Sequence, residues 1–215
     1  MTNAPSITGP RILGVQVPAY KNLRGVLLVV EGEHDRLVLD ELWGLELRSA
    51  GVGVVRMLGT HNILATVDLD FIERYLDVDV TVMLDNTRLE RLSRSGERTP
   101  EEKKLLHLRR AAKERGRNVR EIGLDRPDIV CYLSETAVRR LHPTFTSWTD
   151  INSSRPDRPM RYKEDWLLAR HGVDLTRGAR VREVLDLMRA EGHRPVGELT
   201  QKVERFLAER SEVCP

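Results

Sequence analysis

Five consecutive aliphatic residues, Val26-Leu27-Leu28-Val29-Val30, run without interruption into Glu31-Gly32-Glu33-His34-Asp35. A β-branched block with no polar alternation is expected to be buried on both faces, as strands inside parallel sheets are. Downstream, Leu37, Val38, Leu42 and Trp43 fall at helical spacing. The chain thus predicts a buried strand, a tight acidic turn and a helix. Three carboxylates are placed at the carboxyl end of the strand, where open α/β sheets build their sites. Such a bundle of negative charge costs stability unless a cation sits among it, and a divalent ion held by oxygen is the usual partner.

A second β-rich run, from Val78 to Leu84, ends at Asp85-Asn86-Thr87, and a third, from Val52 to Leu58, ends at Gly59-Thr60-His61-Asn62. If the first two are neighbours, Glu31, Asp35 and Asp85 face one another across a gap that Mg²⁺ can bridge. Thr87, His61 and Asn62 would lie on the same rim. Taken alone, the acidic turn reads more readily as a first helical turn complementing the helix dipole. The second strand ending in a carboxylate turns the balance toward a site.

These features resemble the Toprim domain, the metal-dependent fold shared by topoisomerases, bacterial primases, recombination mediators and the OLD-family nucleases. The resemblance rests on the strand closing on Glu31-Gly32-Glu33-His34-Asp35, the glycine-centred turn at Gly59 to Asn62, and Asp85 in the place of the first aspartate of an Asp-x-Asp motif. Thr87 stands where the second aspartate is expected. The likeness covers residues 24 to 141, and Arg36-Leu37-Val38-Leu39 after the turn looks closest to the OLD branch. The phosphate-binding G-x-x-x-x-G-K-[ST] motif of that branch's ATPase half does not occur in the sequence.

The resemblance implies a Rossmann-like, mostly parallel sheet flanked by helices, and a Mg²⁺- or Mn²⁺-dependent nuclease acting on DNA or RNA. Asp35 and Asp85 would hold metal, and Glu31 would bind metal or act as general acid/base. Glu33 would be a spare carboxylate for a second ion, and Lys163 would stabilise charge on the phosphorane. A separate ATPase partner and a homodimer are compatible with this reading. Two other classes stay open: a catalytically degenerate nucleic-acid-binding subunit, favoured by the missing aspartate, and a nucleotidyl-transfer component.

The sequence divides into an N-terminal extension (1–23), the Toprim-like domain (24–141), a linker or loop (142–160) rich in Pro, Ser, Thr and Asp, and a helical appendage (161–215). Ile12, Val15 and Val17 suggest a short edge strand. The stripes Val181, Val184, Leu185, Met188 and Leu199, Val203, Phe206, Leu207 are expected to pack against each other. Charged residues make up 32% of the chain and the formal net charge is +2, which hides a local contrast. Between Arg88 and Arg120 twelve Lys or Arg stand against five Glu. Within that stretch Lys103, Lys104, Arg109 and Arg110 read either as a phosphate-tracking arm or as the solvated face of an ordinary helix. Two distant cysteines argue against a disulfide framework, and no apolar run is long enough to span a bilayer, so a cytoplasmic protein without membrane contact is expected.

Overall fold

The computed structural model describes residues 11–12, 15–16, 25–56, 79–87, 98–114, 120–154, 166–195 and 197–211. Two-residue strands β1 (Arg11–Ile12) and β2 (Val15–Gln16) pair antiparallel with each other, apart from the main sheet. The expected edge strand is therefore half of a separate two-stranded sheet. Val17 lies outside the described residues.

The main sheet contains β3 (Val26–Val30), β4 (Val52–Arg56), β5 (Asp79–Leu84) and β6 (Arg120–Gly123), all parallel, in the order β4-β3-β5-β6. Every residue of β3 is buried, as its unbroken aliphatic run requires. In β5 only Asp79, at the start, is exposed. Helix α1 (Glu33–Ser49) connects β3 to β4, and the crossing back is tight because Gly51 adopts φ 68°, a conformation open to glycine without steric cost. Helix α2 (Pro100–Glu114) lies between β5 and β6. Thr99 opens α2 as a capping box: its hydroxyl accepts from the Glu102 amide at 3.1 Å, and Glu102 accepts from the Thr99 amide at 2.9 Å. Proline at the first helical position suits this start.

After β6 come a 3₁₀ turn at Ile129–Tyr132, then α3 (Glu135–Leu141), α4 (Trp148–Ser153), the short α5 (Ala169–His171), α6 (Gly178–Ala190) and α7 (Glu198–Ser211). The segment expected to be a linker contributes to the core instead. Phe145, Trp148 and Ile151 are buried with the sheet residues, the Phe145 and Trp148 rings meet edge-on at 4.9 Å, and the Trp148 indole N–H donates to the Leu133 carbonyl at 2.8 Å. The C-terminal helices belong to the same core. Val181, Val184, Leu185 and Met188 of α6 are fully buried, and α6 packs chiefly on α1 and α3, not on α7 as its apolar stripe suggested. Around that contact Glu41 of α1 pairs with Arg182 and Arg189, and Glu46 with Arg194. Exposed pairs of this kind are each worth about 0–1 kcal/mol, so the apolar contact holds the layer in place.

Two measurements check this architecture. Trp148→Ala should cost about 3–5 kcal/mol in denaturant unfolding, as large-to-small changes in a shared core do. A linker tryptophan would cost almost nothing. His142, which caps α3, is held below its ordinary pKa chiefly by burial, with Arg180 adding to the shift and Asp174 and Glu183 opposing it. The unfolded chain therefore binds more protons at this position than the folded chain, so stability falls as pH drops below about 6.5. His142→Gln should lose less melting temperature than wild type between pH 7 and pH 5; equal losses would place His142 in water.

Candidate functional site

Parallel pairing in register, Val26 with Asp79 through Val30 with Met83, brings the ends of β3 and β5 level with each other. From β3 the chain crosses to β4 on one side, and β5 then lies on the other side of β3. The two strand ends thus flank the point where the strand order reverses, and parallel sheets open a crevice there. A cleft of about 280 Å³ occupies this position, lined by Glu31, Gly32, Asp35, Asp85, Asn86, Glu101, Pro127 and Asp128. Among these described residues five are carboxylates, and none is Lys, Arg or His.

Backbone amides orient the two deepest carboxylates, Asp35 and Asp85, each only 7% exposed. Asp35, in the first turn of α1, accepts from the Gly32 N–H at 2.7 Å. Asp85 accepts from the Ile129 N–H at 2.8 Å, which ties the end of β5 to the 3₁₀ turn. Such bonds offset part of the desolvation of a buried carboxylate.

Next to Asp85 the backbone turns through Asn86 at φ 53°, a left-handed conformation that asparagine tolerates better than most residues. The turn aims the Asn86 side chain at α2, where its amide donates to Glu101 at 3.0 Å, while the Asn86 carbonyl accepts from the Thr99 hydroxyl at 2.8 Å. Asn86 is thereby the hinge that brings the first turn of α2, and Glu101 with it, to the rim. Asp128 comes from the opposite wall. It caps the 3₁₀ turn by accepting from the Val130 N–H at 3.1 Å.

Of the residues singled out from sequence, Glu31, Asp35 and Asp85 come together in this cleft. Glu33 does not join them; it bridges to Arg36 at 3.2 Å and to Arg56 of β4 at 2.9 Å, outside the cleft lining. Thr87 sits beneath the rim rather than on it. It is fully buried, and its hydroxyl is directed at the carbonyls of Leu84 and Asp85 at 2.9 and 2.7 Å. His61, Asn62, Lys163 and the Lys104 side chain lie outside the described residues. Along α2, Lys103 is exposed, Arg109 pairs with Glu121, and Arg110 pairs with Glu114 at 3.1 Å. Part of the basic arm is thus matched by carboxylates.

Oxygen donors of this kind suit a hard divalent cation, since every charged lining group among the described residues is a carboxylate. Among the described residues, however, no group of three or more His, Cys, Asp or Glu is drawn together closely enough to hold an ion. Glu31, Asp35 and Asp85 are the groups that would converge on one. Glu101 and Asp128 are the functional candidates that sequence reasoning missed; their only local signals are a helix-start motif at Thr99-Pro100 and a cap position after Pro127.

Behind Asp128 lies a polar cluster. Tyr132 donates its hydroxyl to Glu198 of α7, and Lys202 donates to Glu198 and to the Gly123 carbonyl. Burial first, and then the bond to Glu198, push the Tyr132 phenol well above its usual range. Burial alone would raise Glu198, but hydrogen bonds from Lys202, Tyr132 and the Asp125 amide outweigh it and hold the carboxyl below its usual value.

The placement of Thr87 has a direct test. Thr87→Asp would put a carboxylate where the hydroxyl meets two carbonyl oxygens, and should destabilise the fold by about 3 kcal/mol or more. Thr87→Ser, which keeps the hydroxyl, should cost much less. Unchanged stability in Thr87→Asp, with tighter Mn²⁺ binding, would return the residue to the rim.

Among the described residues no helix is long and apolar enough to cross a membrane. No protein-family model, curated protein or solved structure matches the chain. The chain is an α/β protein with a four-stranded parallel sheet of Rossmann-like kind, and its functional assignment rests on the cleft.

Proposed function

We propose that this chain hydrolyses nucleic-acid phosphodiester bonds with Mg²⁺ or Mn²⁺ at the cleft between β3 and β5, in the manner of a Toprim nuclease. The observation that carries the reading is the convergence of Glu31, Asp35 and Asp85 from two strand ends at the switch point of a parallel sheet. The carboxylates that line the cleft among the described residues repel a phosphodiester, and a bound cation would offset their charge. A bound divalent ion would supply Lewis-acid stabilisation of the phosphate oxygens and a more acidic water.

The roles of the side chains follow from their positions. Asp35 and Asp85, oriented by the Gly32 and Ile129 amides, are the fixed donors of the site. Glu31, half-buried at the end of β3, is placed to accept a proton from the attacking water. Glu101 and Asp128 add two further carboxylates to the lining of the cleft. Helix α2 leaves this rim carrying Lys103, Arg109, Arg110 and Lys113, so a strand engaged at the cleft has a basic surface to follow. The pairs Arg109–Glu121 and Arg110–Glu114 are weak enough to exchange for phosphates. A second reading, a binding subunit without catalysis, is favoured by Thr87 facing inward where the resemblance expects a second aspartate.

Purified protein incubated with plasmid DNA and with RNA, in Mn²⁺, Mg²⁺ or chelator, tests the proposal. Cleavage is expected only with metal, and Glu31→Gln and Asp85→Asn should each reduce it about a hundredfold or more. Asparagine keeps a carbonyl oxygen for the Ile129 amide, so the loss in Asp85→Asn reports the charge rather than the fold. Metal at a hundredfold excess over Kd should raise the wild-type melting temperature by about 5–10 °C. A melting temperature unmoved by either ion, with both nucleic acids intact, overturns the proposal. Polynucleotide binding without metal-stimulated cleavage supports the second reading.

A further inference from the structure

Residues 124 to 129 form one wall of the cleft, and they are bonded along both edges. On the cleft side, Leu124 N–H donates to the Leu84 carbonyl at 2.8 Å, Thr87 N–H to the Leu124 carbonyl at 2.7 Å, and Asn86 N–H to the Arg126 carbonyl at 2.7 Å. The Ile129 N–H completes that edge on the Asp85 carboxylate. On the far side, the Asp125 N–H donates to both oxygens of Glu198, at 3.2 and 3.1 Å. The Arg126 N–H donates to the Tyr132 hydroxyl at 3.0 Å, and that hydroxyl donates in turn to Glu198. Lys202, one turn along α7, reaches the Gly123 carbonyl and the same carboxylate. The Arg126 guanidinium lies 4.9 Å over the Tyr132 ring and donates to the Cys131 carbonyl.

The two edges differ in origin. Strand ends supply the cleft-side partners, whereas side chains hold the back, Tyr132 from the adjoining turn and Glu198 and Lys202 from α7, with Glu198 73 residues away from Asp125 in sequence. With the sheet-side bonds alone, the wall would be a short loop in which Pro127 interrupts the row of amide donors. Glu198 gathers two donors from the wall's own turn and one from α7, so it fixes the wall's distance from the C-terminal helix.

We infer that Glu198 and Tyr132 are positioning residues for the cleft: through the 125–129 wall they set where the Asp128 carboxylate and the Ile129 amide that orients Asp85 stand. This rests on the reading of the cleft as a divalent-cation site, and it gives α7 a role in the site beyond covering the core. Partners that orient ligating carboxylates commonly change metal affinity about 10- to 100-fold when removed.

The test compares wild type with Glu198→Ala, Glu198→Gln, Tyr132→Phe and Val203→Ala, the last removing buried apolar volume from α7 without removing a hydrogen bond to the wall. Each protein is titrated with Mn²⁺ alone by calorimetry, and amide exchange at Asp125 and Ile129 is followed by NMR. Glu198→Ala is expected to weaken Mn²⁺ binding about tenfold or more and to speed exchange at both amides. Tyr132→Phe should act in the same direction. Glu198→Gln, which keeps an oxygen acceptor, should recover most of the affinity. Val203→Ala should lower the melting temperature and leave Mn²⁺ affinity unchanged. Wild-type affinity in Glu198→Ala, or an equal loss in Val203→Ala, overturns the inference. If wild type binds no Mn²⁺, the cation-site reading falls, and the positioning role is then decided by exchange alone. Faster Ile129 exchange in Glu198→Ala but not in Val203→Ala upholds it, and equal rates reject it.

Discussion

The parallel pairing of β3 with β5 sets the terms for everything around the cleft. Because Val30 pairs with Met83, the chain leaves both strands at the same level, and the acidic residues that follow have nowhere to separate. Asp35 and Asp85 are each brought to 7% exposure by strands that are themselves buried on both faces. Burial of ionised carboxylates costs several kcal/mol apiece unless donors compensate. Part of the compensation comes from backbone amides, at Gly32 for one and Ile129 for the other. These amides hold the carboxylates in place without removing their charge.

This arrangement explains why the C-terminal part of the chain is built into the core instead of hanging from it. The amide of Ile129 holds Asp85 only if the 3₁₀ turn is fixed, and all four residues of that turn, from Ile129 to Tyr132, are buried. Covering them requires Phe145, Trp148 and the apolar faces of α6 and α7. Strand ends, turn and helical cover form one dependent series, so a loss of packing far from the cleft would be felt at Asp85.

How much of this can be read along the sequence depends on how local each cause is. The doubly buried strand at Val26–Val30, the acidic turn after it and Asp85 at the end of a second strand are written in contiguous residues, and the pattern predicts their positions directly. Glu101 and Asp128 are different. Each looks like an ordinary helix-start acid, and only the left-handed turn at Asn86 and the path of residues 124–129 bring them to the rim. Thr87 was legible in position but not in direction, since a hydroxyl at the end of a strand turns inward or outward according to the carbonyls near it. The segment from His142 to Ser154 misled because Pro, Ser, Thr and Asp dominate it. Phe145 and Trp148 carry the opposite signal: two large aromatics so close together need burial that a free linker could not provide.

At the concentration of carboxylates local chemistry and global stability pull apart. Elsewhere the choices agree: aliphatic strands in the middle of the sheet, a capping box opening α2, apolar stripes on α6 and α7 that meet the core. At the cleft, five acidic residues from the ends of β3 and β5, from α1 and α2 and from the 124–129 wall share one lining, with no basic residue among the described ones. Conflicts of this kind gather where function requires them. Here the conflict is one of charge, and under the proposed function a small cation that prefers oxygen would relieve it.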